Sequence, residues 1–100
     1  MRPDLRNIDD ILTSAEVAKA MPVSEAGKAG IKVCKLDGEY PFHAHDVDEV
    51  FVILEGALTM DYEGKGSHPL KAGDVLRVPA GQLHRTRTET PSKVLLVGPQ

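Results

Sequence analysis

A single cysteine, Cys34, stands in this 100-residue chain, so no intrachain disulfide can staple the fold. That suits a reducing compartment, and a cytoplasmic location is expected. Long apolar runs are missing as well. Stretches such as Val50 to Leu54 are far too short to span a membrane, and the opening Met-Arg-Pro-Asp-Leu-Arg lacks the apolar segment of a signal peptide. There is no excess of positive charge. A formal net charge of −3 leaves no basic field for nucleic acid. No internal repeat, low-complexity tract or interdomain linker breaks the chain, and its length suits one core that buries about two-thirds of the chain's surface. One domain over residues 1–100 is therefore expected.

What is present is a set of metal-ligand side chains. The first stretch reads Gly38-Glu-Tyr-Pro-Phe-His43-Ala-His45-Asp-Val-Asp-Glu49 and runs on to Gly56; the second reads Gly73-Asp-Val-Leu-Arg-Val-Pro79-Ala-Gly81-Gln-Leu-His84. Residues two apart on a strand point to one face, so His43 and His45 can converge on one ion. Glu49 shares their parity, although Asp46-Val47-Asp48 between them can turn or bulge. His84 follows a Pro-x-Gly turn that can deliver a fourth ligand from a neighbouring strand. Four such groups are costly to bury unpaired, and a shared cation satisfies them together. Imidazole and carboxylate donors accept iron, manganese, nickel, cobalt, copper or zinc, so one divalent transition metal per chain is expected without its identity. His68, between Ser67 and Pro69, is read as a core or surface histidine and left out.

These residues resemble the cupins. His43-x-His45-x3-Glu49-x6-Gly56 looks like the first cupin motif, and Gly73-x5-Pro79-x-Gly81-x2-His84 looks like the second, over Gly38 to about Thr88. Gly38 stands one residue nearer the first histidine than the family's leading glycine usually does, and Thr88 stands where the family closes on asparagine. The resemblance implies an all-β, double-stranded β-helix (jelly-roll) barrel that holds one metal through His43, His45, Glu49 and His84. Residues 29–98 would form the barrel core, and residues 1–28 an N-terminal arm and first strand region.

The remaining chain supports that architecture. Strands are expected at Ile31 to Leu36, Glu49 to Glu55, Ala57 to Tyr62, Asp74 to Val78, His84 to Thr88 and Lys93 to Val97, with glycine turns at Gly56 and at Glu63 to Gly66. Many short strands of this kind mean a sandwich or barrel. A capping box at Thr13 and Glu16 predicts a helical arm over Ser14 to Ala20, although Ile8 to Leu12 would equally pair as an edge segment. Parity places Phe51 and Ile53 inside and leaves Val50, Val52 and Leu54 to be covered from outside, by the arm at one place and by a second copy at another, so a homodimer is expected. Arg85 and Arg87 alternate with His84 and should lie on a solvated face, while Thr86 and Thr88 line the pocket. Tyr40 and Phe42 would wall the cavity mouth or pack in the core. Asp46 and Asp48 would cap the loop between ligands, Asp74 a turn, and Cys34 would be a small buried hydrophobe.

Four protein ligands on a six-coordinate ion leave about two places for water, dioxygen or a bidentate substrate. The expected function is a metal-dependent enzyme, of dioxygenase or isomerase type, acting on a small oxygen-rich metabolite chelated at the metal. Glu49 is the one candidate catalytic residue, able to loosen from the ion and accept a proton. The alternative is a non-catalytic metabolite-binding or sensing module. In both readings the partner is a small molecule, with no nucleic acid and no membrane.

Overall fold

The computed structural model describes residues 4–100. A short helix α1 (Ile8–Thr13) precedes eight strands: β1 (Met21–Ala26), β2 (Ala29–Leu36), β3 (Glu49–Glu55), β4 (Ala57–Tyr62), β5 (Gly66–Lys71), β6 (Val75–Val78), β7 (His84–Thr88) and β8 (Ser92–Pro99). They form two antiparallel sheets, ordered β1-β2-β8-β3-β6 and β5-β4-β7. Cys34, Leu36, Ile53, Leu58 and Val94 pack into one buried cluster, and Phe51, Met60 and Val78 into a second. This is the all-β barrel with a short helical arm that the motifs imply. Among the described residues no helix is long and apolar enough to cross a membrane.

Strands β3, β4 and β7 keep the boundaries that their alternation predicts. Strand β1 falls in the first strand region expected within residues 1–28, where no bounds were predicted, and β5 was not expected. Both are edge strands, and both are mostly exposed, so neither carries the apolar alternation of a core strand. Each also holds a proline, Pro22 and Pro69, which edge strands tolerate because an edge leaves backbone donors unused. A register shift between Pro22 and Ser24 accommodates the first of them.

The arm is helical in a different place. Asn7 caps α1 by accepting from the Asp10 amide at 3.0 Å, and Asp9 and Asp10 lie in the first turn, where negative charge is favoured. Neither the predicted helix over Ser14 to Ala20 nor the edge strand over Ile8 to Leu12 is formed. Ser14 to Ala20 presents no buried residue, and the Ala18 amide donates instead to the Lys35 carbonyl at 2.8 Å, tying the segment to β2. The helix does cover one part of the outer face. It packs on β1 and β2, where Leu12 and Val33 are both buried. Val50 and Val52 are only half-buried, and Leu54 and Val75 are exposed.

One turn is held by steric necessity. Gly56 joins β3 to β4 with φ +92°, and a Cβ there would lie 2.7 Å from the Pro91 carbonyl oxygen.

Candidate metal centre

Two backbone clamps bring the motifs together. His43 and His84 exchange hydrogen bonds as an isolated bridge, amide to carbonyl at 2.8 and 2.9 Å. The Gly81 amide donates to the His45 carbonyl at 2.7 Å. The turn that carries Gly81 is pinned from outside, since Asp48 accepts from the Ala80 amide at 2.8 Å and from Arg77 at 2.6 Å. The Ala80 amide, more than Arg77, holds the Asp48 carboxyl below its usual range. Asp48 thus pins the turn before His84 rather than capping its own loop between the ligands, and Asp74 caps its own turn by accepting from the Lys71 amide.

The result is a knot of three imidazoles whose ligand atoms lie within 4.8 Å of one another: His43, His45 and His84. Their ring centroids are separated by 4.4 to 5.6 Å. His84 is completely buried, while His43 and His45 are exposed towards the mouth. Glu49 stands at the edge of this set. Its Oε1 lies 4.0 Å from His45 Nε2 and its side chain is a quarter exposed, so the structure brings the three histidines together and leaves the predicted fourth ligand beside them.

The tautomers follow from the neighbours. His84 Nδ1 lies 2.8 Å from the Gln82 carbonyl and His43 Nδ1 lies 3.1 Å from the Pro41 carbonyl. A carbonyl can only accept, so each Nδ1 carries the proton and each Nε2 presents a lone pair. Carbonyl-oriented imidazoles of this kind are the usual support for metal-ligating histidines. The Nε2 atom of His84 is buried and has no hydrogen-bond partner. Burial pulls the His84 pKa below its ordinary value; the Gln82 carbonyl opposes this, and His43 and His45 act with it. The ring is therefore neutral at neutral pH. A buried acceptor without a donor costs about 1 to 3 kcal/mol, and a cation shared by the three rings removes that deficit. The three histidines can hold a metal, and the donor set fits one.

The knot opens into a cavity of about 590 Å³. Tyr40 and Phe42 wall it, with Leu36, Phe51, Val94 and Leu96 on its apolar side. Thr86 lines it as predicted. Thr88 does not; its hydroxyl accepts from the Gly38 amide at 2.7 Å and closes the first motif onto β7, where the family's pattern has asparagine. Cys34 faces the same cavity but is buried, and burial pushes its thiol up, so it is a neutral small side chain. His68 meets the Tyr62 ring at 5.0 Å and takes no part in the cluster.

Arg85 and Arg87 do point away from His84, but they are not merely solvated. Both donate through Nε to the buried Asp61 at 2.8 Å, and Arg85 lies over the Phe42 ring at 4.7 Å from its centroid. Arg87, then Ser67 and Arg85, hold the Asp61 carboxyl well below the usual carboxylate range. The sequence reading missed Asp61 because its partners lie on another strand. It also missed Lys32, which lines the cavity, although the parity Lys32-Cys34-Leu36 carries the signal.

With the geometry in view, the chain can be set beside known proteins. The model of the family described as Cupin domain matches residues 33–98. The uncharacterized protein YdbB of Bacillus subtilis is 42% identical over 67 residues, which is 66% of this chain and 59% of that protein. Dimethylsulfoniopropionate lyase DddQ of Ruegeria pomeroyi is 41% identical over 49 residues, 49% of this chain and 24% of the lyase. The chain thus spans less than two-thirds of either curated relative. Among solved structures, a cupin-2 domain containing protein from Shewanella frigidimarina superimposes with a TM-score of 0.88 at 25% identity, covering 97% of this chain and 96% of that one.

Proposed function

The chain belongs to the Cupin domain family, and from that premise we propose that it is a metal-dependent enzyme, of dioxygenase or isomerase type, acting on a small oxygen-rich metabolite. His43, His45, His84 and Glu49 would hold one divalent transition metal, and residues 1–100 work as one domain, the arm over 1–28 leading into a barrel over 29–98. The observation that carries this reading is the buried, unpartnered Nε2 of His84, beside a second imidazole whose proton is likewise fixed on Nδ1. When bound, the ion supplies Lewis acidity and sites for substrate oxygens. The protein supplies the rest. His84, buried at the base, keeps water from one side of the centre, and the Gln82 and Pro41 carbonyls prevent the rings from turning. Glu49, the only carboxylate among the described residues that lines the cavity beside these rings, is the group able to accept a substrate proton.

A match to a lyase over half of the chain supports an enzyme over a passive binder. A homodimer through Val50, Val52 and Leu54 fits the exposure of that face, and the single free cysteine fits a cytoplasmic location. The test begins with elemental analysis of protein purified without a metal-affinity tag, followed by a metabolite screen on that metal form. We expect close to one ion per chain and turnover of at least one screened metabolite that His84→Ala abolishes. Protein that binds no divalent metal in competition titration, or turnover indifferent to His84→Ala, would refute the reading.

A further inference from the structure

The cavity does not end at the histidines. A second recess of about 250 Å³ shares Lys32, Glu49 and Leu96 with the first, so the two adjoin. Its floor contains Gly30 and Gly98, paired across β2 and β8. Both lie two residues from side chains that face the cavity, Lys32 on one strand and Leu96 on the other, so their missing side chains would point the same way.

These glycines have no local reason to be glycine. Neither has a positive φ. A Cβ on Gly98 would come no nearer than 3.7 Å to any atom, and one on Gly30 no nearer than 3.5 Å. Glycine inside a strand weakens it and marks a place where a ligand or another backbone approaches closely. The backbone nearest to the pair from outside it, the Gln100 Cα at 3.8 Å from a Cβ on Gly30 and the Asp48 carbonyl oxygen at 3.7 Å from one on Gly98, leaves ordinary contact distance on both sides.

Lys32 stands at the junction. Among the described residues no arginine borders either recess and Lys32 is the only lysine that does, on a wall otherwise rich in apolar side chains. Among the described residues it takes part in no ion pair, although Glu49 and, on the far rim, Glu25 border the same recess. Lys32 is exposed, and an ammonium at the open junction of two recesses that no carboxylate among the described residues engages is free to meet one from outside.

Resting on the proposed metal reading, we propose that the glycine-floored recess is a subsite for a carboxylate carried by the metabolite, with Lys32 as the residue that selects for it. The substrate class is then a small organic acid. Its apolar body would lie between Phe51 and Leu96, and its chelating oxygens would lie at the histidine end.

The test uses two probes of one shape, 4-hydroxybenzoate and its neutral amide, titrated into zinc-loaded and zinc-free protein by calorimetry. The parent should prefer the acid by about twofold to fivefold, as one exposed carboxylate–ammonium contact allows. Lys32→Met should bring the ratio to about one and Lys32→Arg should keep it, with zinc affinity unchanged in both. Gly98→Val, filling the recess, should weaken both probes together. A preference for the acid that survives Lys32→Met overturns the proposal, whether in both zinc states or with zinc alone, where direct carboxylate coordination would be its source. So does the absence of any preference in the parent. Failure of zinc to bind overturns the metal reading instead, and the ratio on the zinc-free protein then decides for or against Lys32.

Discussion

Replacing His84 by leucine should make the metal-free protein more stable and the metal-loaded protein less so. The reasoning starts from the orphaned Nε2, which is buried in the folded chain and hydrated in the unfolded one. That deficit is worth about 1 to 3 kcal/mol. Leucine removes it and keeps most of the packing against Phe51, whose ring meets His84 edge-on at 6.5 Å. Against this stands the lost hydrogen bond from Nδ1 to the Gln82 carbonyl, worth about 1 kcal/mol. The balance is a gain of about 1 kcal/mol, or roughly 4 to 8 °C in melting temperature for a domain of this size. Metal reverses the order. At a free concentration one hundred times its dissociation constant, an ion that binds only the folded state adds about 2.7 kcal/mol to the parent. The leucine variant, without its buried ligand, should gain little. The assay is thermal unfolding followed by far-ultraviolet circular dichroism, with chelator and with a titrated divalent metal. If His84→Leu lowers the metal-free melting temperature by the 10 °C or more that a disrupted core brings, His84 is an ordinary core residue and the argument from its lone pair is wrong.

Three further outcomes are expected. Glu49→Gln should weaken metal binding by at least tenfold in a competition titration while leaving the metal-free melting curve in place, since a neutral amide keeps the volume and loses the anionic donor; unchanged affinity would remove Glu49 from the ligand set. Gly56→Ala should cost about 2 kcal/mol or more in urea unfolding, because the left-handed backbone strain adds to the approach towards the Pro91 carbonyl; a cost below about 0.5 kcal/mol would mean that the turn relaxes freely. Asp61 is held low by Arg87, Ser67 and Arg85, so its contribution is present above the unfolded carboxylate pKa of about 3.9 and is lost as pH falls from there towards its folded value. Urea midpoints of the parent should therefore fall more steeply between about pH 4 and pH 2 than those of Asp61→Asn, and parallel profiles would contradict the network.

Local pattern was enough for the middle of this fold. The strands expected at Glu49–Glu55, Ala57–Tyr62 and His84–Thr88 keep their ends in the structure, because each is bounded by a turn or loop and presents buried residues to the core, apolar in the first two and His84 and Thr86 in the third. It failed at the margins. Ser14 to Ala20 has the composition of a helix, yet a helix there would have no face to bury, and its backbone found a partner in Lys35 instead. Edge strands β1 and β5 left little trace, since half of their backbone groups and most of their side chains meet water.

The same division runs through the site. Donor types and their spacing, His43, His45, Glu49 and His84, stand in the sequence because a strand's two-residue period and a Pro-x-Gly turn act over a few residues. Which donors meet is a long-range matter. The His43–His84 bridge joins residues forty-one positions apart (84 − 43). Only packing could bury His84 while leaving its neighbours open, and only packing could set its Nδ1 on a carbonyl and leave its Nε2 bare. Likewise the pairing of Asp61 with two arginines, and the placing of Lys32 above two bare glycines, arise where strands distant in the chain become neighbours in a sheet. Sequence determines which groups a strand presents and to which side. Tertiary structure alone decides what they face, because desolvation and charge pairing depend on distances that the chain acquires only once both sheets have closed.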